Sequence, residues 1–571
     1  MDKKTLWHST SHVLAQAVKR LYPKVKLGIG PAIDDGFYYD FDNLTITPED
    51  LIKIESEIQK IIKEDNKFVK KELTKEEAKK LFKDQPYKLE LIDEIPEKKV
   101  TIYTNGDFTD LCAGPHINST KEIKAFKLLK IAGAYWKGDE KNKQLQRIYG
   151  ISFGSEKELE DYLKLIEEAD KRDHLKLGKR LDLFSIHPEV GAGLAHWHPK
   201  GAIIRNEIEN FWKAEHRKRG YSYVYTPHIG KIDLWKKSKH WEFYRDSMYS
   251  PMKIDTVEYL IKPMNCPFHI QIYQSALRSY RELPIRYCEL GTVYRYERAG
   301  TLHGLTRVRG FTQDDSHIFC TEEQLQGEIE NVLELALYML KTFGFKEFKI
   351  DLSIRNPNNK SKYLGTDESW KNAEESLVKA LKKKKLDYKV AEGEAVFYGP
   401  KIDIKLLDTL NREWQGPTIQ VDFNFPEKFD ITYEGADGKR HRPVMVHRTV
   451  LGSMERFVGC LIEHYGGKFP LWLAPKQVIL LTVSDKNIDF AKKLCEEMKG
   501  KDIRAELDAR SESIGKKVRD AQLEFINYIV TIGDKEEQSK NLAVRTLDGK
   551  IKNINKDSFI KEVLGEINGR L

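Results

Sequence analysis

Apolar residues recur at different periods along this chain, and each change of period marks an element. Leu14, Ala17, Val18 and Leu21 keep helical spacing and predict a helix from Trp7 to about Lys19. GIGPAIDDGFYYDFD, residues 28–42, reads as strand and turn, being rich in glycine, proline and aromatics. The charged stretch 48–71 reads as helix, and mixed elements follow up to RIYGISF near residue 153. Across 155–184, Leu159, Leu163 and Ile166 form a narrow apolar stripe on a charged helix, as expected of a helical linker. The block from about 185 to 474 is mixed and aromatic-rich, and predicts a large antiparallel sheet with helices around it. After WLAP, which ends at Pro475, QVILLTV, IRAELDA and NYIVTIGD read as strands alternating with the helices NIDFAKKLCEEMK and SIGKKVRDAQLEF. That alternation predicts a small α/β domain of parallel character. The lysine run 382–385 reads as a solvated helix face.

Composition narrows the class. A chain of 571 residues has room for four domains, at roughly 150 residues each. With 40% hydrophobic and 32% charged residues it suits a well-packed soluble protein. The net charge of +8 permits a polyanionic partner without requiring one. Six cysteines without a CxxC pair argue against a disulfide framework or a zinc ribbon, and favour a reducing compartment. MDKKTLWHSTSH lacks the apolar core of a signal peptide, and no apolar run is long enough to span a membrane. The expectation is a cytoplasmic protein. No Gly-Lys pair sits in a P-loop, and GIGPAI lacks the third glycine of a dinucleotide fingerprint. Phosphate chemistry must therefore rest on arginines carried by a sheet.

RVRGFTQDDSHIF, 307–319, is the most informative segment. Read as a strand, it places Arg307, Arg309, Phe311, Gln313, Asp315, His317 and Phe319 on one face. Cations, an amide, a carboxylate and an imidazole then share that face with two aromatics, which suits a wet concave site better than open solvent. Upstream, YRYER places Arg295 and Glu297 on a common face. Such an arginine can pair bidentately with phosphate or carboxylate.

YRYERAGTLHGLTRVRGFTQDDSHIF resembles motif 2 of class II aminoacyl-tRNA synthetases, a strand, loop and returning strand. VMVHRTVLGSMERFVG resembles motif 3, and GAIIRNEIENFWKAEHRKRGYSYVYTP resembles motif 1, the dimer-interface helix and strand. LHGLTRVRGFTQDD together with KPMNCP is similar to the threonyl branch of that class. The resemblance covers nearly all of the chain. It implies an α+β multidomain fold with an editing domain at 1–153, a helical linker at 154–185, a class II antiparallel catalytic domain at 186–474 and an α/β anticodon-binding domain at 475–571. The implied partners are ATP with Mg²⁺, L-threonine and tRNA(Thr), in a homodimer without membrane attachment.

By that resemblance Arg295 would hold the α-phosphate and the threonine carboxylate, and Arg307 the far phosphates. Arg456 would stack on adenine or grip the γ-phosphate, and Glu297 would contact adenine. Adenylate formation is an in-line displacement at phosphorus, served by positioning and charge neutralisation; the substrate carboxylate is itself the nucleophile. Cys266, His317 and His447 match the family's zinc ligands, three donors that leave one position open. Threonine could chelate that zinc through its amino and hydroxyl groups, and valine could not. Gln313, Asp315, Tyr398 and Gln420 would contact threonine, Gln415 and Thr418 would serve ATP, and His240 would assist transfer to the terminal ribose.

Serine also carries a hydroxyl, so a second, hydrolytic site is needed. His8 and His12 share a helix face, and Cys112 and His116 have the same separation. These four residues, with Asp110 beside them, match the hydrolytic pocket of the editing domain shared by threonyl and alanyl enzymes. They could be zinc ligands or a water-activating polar cluster. Glu536 and Arg545 match positions that read anticodon bases. The family usually begins with a further small domain, and this sequence starts at the editing domain. Phe268 replaces a small residue after MNCP, Ala113 a basic residue of the editing motif, and Gly416 with Pro417 a less rigid pair. A catalytically silent RNA-binding paralogue should have lost some arginines or metal ligands, and all are in place. The intact central block also speaks against a freestanding editing hydrolase.

Overall fold

The computed structural model describes residues 2–407 and 412–570 and divides into two compact units, Met1–Glu167 and Glu168–Leu571. In the first unit, helix α1 (Lys3–Leu21) starts where the Asp2 carboxylate accepts the Thr5 amide at 3.0 Å, filling one of the bonds a helix start leaves open. Val13, Leu14, Ala17 and Val18 bury its inner face against strand β1 (Gly36–Asp42) and helix α2 (Asp50–Lys63). The helix expected over 48–71 thus ends early. Asp65 takes a φ of 55°, and Phe68 opens strand β2 (Phe68–Thr74). Only Phe68 and Leu73 of that strand are partly buried, so a run of exposed charges masks its period. After α3 (Pro86–Glu94), strands β3 (Lys99–Asn105) and β4 (Phe108–Leu111) complete an antiparallel group with β2. Strand β5 (Ala125–Tyr135) pairs with β6 (Gln144–Phe153), which pairs in turn with β1, all antiparallel.

Helices α4 (Glu156–Arg172) and α5 (His174–Arg180) occupy the stretch read as a linker. The second unit continues with α6 (Pro199–Lys218), β7 (Ser222–Tyr223), α7 (Cys266–Gln274), β8 (Ile285–Tyr294) and β9 (Gly310–Cys320). Then come α8 (Glu322–Thr342), β10 (Phe348–Ile354), α9 (Asp367–Lys383), β11 (Lys389–Glu392), β12 (Lys401–Leu407), β13 (Glu413–Asp422), β14 (Val444–Thr449) and α10 (Met454–Tyr465). Among the described residues, eight of these strands form one sheet in the order β7-β8-β9-β14-β13-β12-β10-β11. Its two edge pairings are parallel and the rest antiparallel. One face is apolar. Ile318 and Cys320 of β9, Ile402 and Ile404 of β12, and Val446 of β14 pack with Leu325, Ile329, Val332 and Leu333 of α8. Removing these side chains from water is the main drive for this layer. The opposite face is free to carry polar chemistry. Lys382, Lys383 and Lys385 of the lysine run are exposed, as expected of a solvated face, and Lys383 and Lys384 make surface ion pairs with Glu330 and Glu334 at 2.7 and 2.9 Å.

The carboxyl-terminal sheet contains β15 (Val478–Thr482), β16 (Ala505–Asp508), β17 (Tyr528–Ile532), β18 (Asn541–Thr546) and β19 (Ile551–Asn555), ordered β16-β15-β17-β18-β19. The first three are parallel, as expected, while β18 and β19 add an antiparallel half. Arg504 fastens this sheet to the preceding block by donating to the carbonyls of Ala474 (2.8 Å) and Trp472 (2.6 Å) and to Glu207 (2.7 Å).

Candidate active site

Pairing register assembles the site on the polar face of the large sheet. His317 on β9 lies opposite His447 on β14, His447 opposite Gln420 on β13, and Gln420 opposite Lys401 on β12. Directly paired residues point to the same face, so four strands deliver one polar row. The next row holds Thr418 opposite both Thr449 and Asp403. The strand expected over 307–319 begins only at Gly310. Gln313, Asp315, His317 and Phe319 keep the alternation, but Arg307 and Arg309 belong to the preceding loop. Both grip Glu297 there: Arg307 Nε donates to its carboxylate at 3.1 Å, and Arg309 Nε to its carbonyl at 2.9 Å.

A cavity of about 460 Å³ opens over this face, lined by His240, Cys266, Arg295, Glu297, Gln313, Asp315, Tyr398, Gln415, Thr418, Gln420, His447 and Arg456. Every residue expected to bind ATP or threonine lines it except Arg307, whose side chain is half exposed and reaches the lining only through Glu297. Tyr398 donates to Gln420 Oε1 at 2.5 Å, and Asn265 donates to Asp315 at 3.0 Å. Asp403 is a further lining residue. It accepts Gln415 (2.7 Å), Thr418 (3.1 Å), Lys401 (2.6 Å) and Ser353 (2.9 Å). Neither Asp403 nor Lys401 was among the expected residues, although the alternation K-I-D-I-K puts both on the polar face. His240 is not a surface histidine. It is 1% exposed, bonded through Nδ1 to Ser238 Oγ at 2.7 Å, and burial holds its pKa down at about 3. Phe268 packs with Trp235, Met248 and Leu260.

Cys266, His317 and His447 are all buried, and their donor atoms lie within 4.8 Å of one another. His317 Nε2 and His447 Nδ1 have no hydrogen-bond partner. Their other nitrogens are engaged: His317 Nδ1 lies 2.7 Å from His269 Nδ1, and His447 Nε2 lies 2.9 Å from Asp422 Oδ2. His269 Nε2 in turn meets Glu289 at 3.2 Å. Buried nitrogens without partners are rare. Two beside a thiol fit a cation with N and S preference. Burial holds the His317 imidazole well below its usual value and pushes the Cys266 thiol well up.

The first unit holds a second cluster. His8, His12, Cys112 and His116 also bring their donor atoms within 4.8 Å. Cys112 Sγ lies 3.3 Å from His8 Nε2 and 3.2 Å from His116 Nε2. Burial lowers His8, lowers His12 well below its usual value, holds His116 at about 2 and raises Cys112 to about 11. Asp110 stands 3.9 Å from His12, bonded to Lys88 and Tyr39 at 2.5 Å each. Lys88 and Tyr39 are distant in sequence, and only folding reveals them. In the carboxyl-terminal domain, the Glu536 carboxylate accepts the Gly533 amide at 2.9 Å, and Arg545 donates to the Gly549 carbonyl at 3.0 Å. Both residues are half-buried.

Sheet, motifs and cavity together define a class II aminoacyl-tRNA synthetase, and comparison agrees. Residues 251–465 match the tRNA synthetase class II core domain (G, H, P, S and T), 100–149 the threonyl and alanyl tRNA synthetase second additional domain, and 477–566 an anticodon binding domain. A threonine–tRNA ligase of Dehalococcoides mccartyi is 56% identical over 549 residues, 96% of this chain and 94% of that protein. One of Clostridium tetani is 53% identical over 574 residues, 100% of this chain and 89% of that protein. The crystal structure of the RNA binding domain of threonyl-tRNA synthetase from Cryptosporidium parvum superposes with a TM-score of 0.66 at 39% identity, covering 69% of this chain and 98% of its own. The chain belongs to the threonine–tRNA ligase family. It is an ATP-dependent ligase that activates threonine, joins it to tRNA and carries an editing domain. Among the described residues no helix is long and apolar enough to cross a membrane.

Proposed function

We propose that Cys266, His317 and His447 hold one Zn²⁺ and that the cavity above them is where threonine meets ATP. Bound there, the ion would supply a Lewis acid for the amino and hydroxyl groups of threonine together, a chelate that valine, lacking the hydroxyl, cannot complete. The observation that carries this reading is the pair of partnerless buried nitrogens, His317 Nε2 and His447 Nδ1, beside Cys266. Gln313, Asp315, Tyr398 and Gln420 orient the amino acid. Arg295, Arg307 and Arg456 neutralise the phosphates of Mg·ATP, while Glu297, Gln415 and Thr418 hold the nucleotide. The substrate carboxylate attacks the α-phosphorus, so the side chains position and balance charge rather than react. His240, a buried residue of the cavity lining, would assist transfer to the terminal ribose.

His8, His12, Cys112, His116 and Asp110 form the hydrolytic pocket that clears seryl-tRNA(Thr), and Glu536 and Arg545 read the anticodon. The domains run 1–153, 154–185, 186–474 and 475–571, and α6 with β7 forms the interface of a cytoplasmic homodimer. The test is threonine-dependent exchange of pyrophosphate into ATP, with zinc content measured alongside. Cys266→Ala should lose both. Full-rate exchange in that variant would remove the zinc from the reaction.

A further inference from the structure

His174, the first residue of α5, is 0% exposed and lies outside the cavity. Its ring spans two elements that are remote in sequence. Nδ1 sits 2.6 Å from Glu463 Oε1 on α10, and Nε2 accepts the Leu305 amide at 3.1 Å. A backbone N–H can only donate, so Nε2 must carry its lone pair. The proton then resides on Nδ1 and is given to Glu463, and one neutral tautomer satisfies both bonds. Asp173, the third member of this group, spends its carboxylate on the Leu175 and Lys176 amides at the start of α5. With both ring nitrogens engaged, the cluster is a hydrogen-bond relay rather than a cation site.

What the relay holds is the loop between β8 and β9, where two glycines let it pack closely on His174 and α10. Gly304 has a φ of +45°, and a Cβ there would lie 2.1 Å from His174 Nε2. On α10, a Cβ at Gly459 would lie 3.3 Å from Leu305 Cβ and 3.4 Å from Thr306 Cγ2. The next residue of the loop is fastened from the same helix, where Arg456 Nε donates to the Thr306 carbonyl at 3.0 Å. Arg456, Gly459 and Glu463 succeed one another at three- and four-residue steps and therefore share a face of α10. The loop is pinned to this face twice, once by Arg456 and once through His174. Arg307 follows immediately.

We infer that His174 is a positioning residue for ATP binding, fixing the 304–306 segment on α10 so that Arg307 and Arg456 are presented in register. The inference rests on the proposed roles of those two arginines, and its test separates the two claims. In His174→Phe the ring volume stays and both nitrogens go. In His174→Gln the amide oxygen can still accept from Leu305, and in His174→Asn the shorter side chain cannot reach. The KM for ATP in pyrophosphate exchange should rise about tenfold in the Phe and Asn variants, the equivalent of one buried hydrogen bond. The KM for threonine should stay within about twofold, and Gln should restore most of the loss. Hydrogen exchange at the Leu305 amide should accelerate in Phe and Asn but not in Gln, whatever the arginines do. A folded Phe variant with unchanged Leu305 exchange overturns the clamp. Accelerated exchange with an unchanged KM for ATP instead overturns the link to Arg307 and Arg456.

Discussion

His269 does not line the cavity, yet its replacement should weaken metal binding. If His317 Nε2 faces the ion, its proton sits on Nδ1 and is donated to His269 Nδ1 at 2.7 Å. His269 must then donate from Nε2 to Glu289 at 3.2 Å, so a single chain of protons fixes the ligand's tautomer and ring angle. His269→Phe keeps a planar ring in a fully buried position and removes the acceptor. His317 is left with an unpaired buried N–H or the wrong tautomer, a penalty of about 1–3 kcal/mol. Loss of outer partners of metal-bound histidines typically lowers affinity by about 10–100-fold, which is about 1.4–2.8 kcal/mol. Glu289 keeps Thr226 as a two-point donor, at 2.7 and 2.9 Å, and Lys262 at 3.7 Å, so the fold should survive. Zinc competition against a chromophoric chelator measures the change. His240→Phe, which touches neither ligand's second nitrogen, serves as the control. A His269→Phe protein binding zinc within about threefold of the parent would refute the reasoning.

Two further outcomes concern the amino-terminal cluster. His8, His12 and His116 are all shifted downward by burial, so the unfolded chain takes up protons first as pH falls below about 6.5. Stability of this unit should therefore decline with acidity below that point, by about 1.4 kcal/mol per pH unit for each imidazole. His12→Phe should flatten the slope in denaturant melts; an unchanged slope contradicts it. Separately, His8→Ala combined with Cys112→Ala should let seryl-tRNA accumulate while threonylation continues, and mischarging assays finding no accumulation would remove the editing role.

Legibility from sequence followed the reach of each signal. Strict alternation made the polar face from Phe311 to Phe319 readable, because in a strand the period alone decides which side a residue takes. It overran at Arg307 and Arg309, since periodicity does not say where pairing with β8 starts. The charged run through Phe68 and Lys71 read as helix because exposed β2 has almost no apolar alternation. The candidate triad was legible only through family resemblance: Cys266, His317 and His447 come from a helix and two strands, joined by register. Lys88, Tyr39 and His174 gave no local signal at all. His269 did give one, lying three residues after Cys266 on the same helix, a spacing that puts both on one face.

X-ray absorption at the zinc edge of the purified protein would examine the coordination itself. The expected protein shell is one sulfur at about 2.3 Å and two imidazole nitrogens at about 2.0–2.1 Å, completed by a solvent oxygen that threonine replaces with its amino and hydroxyl groups, a two-point change that valine cannot produce. Absence of zinc, or a shell that threonine leaves unchanged, would contradict discrimination through an open metal position.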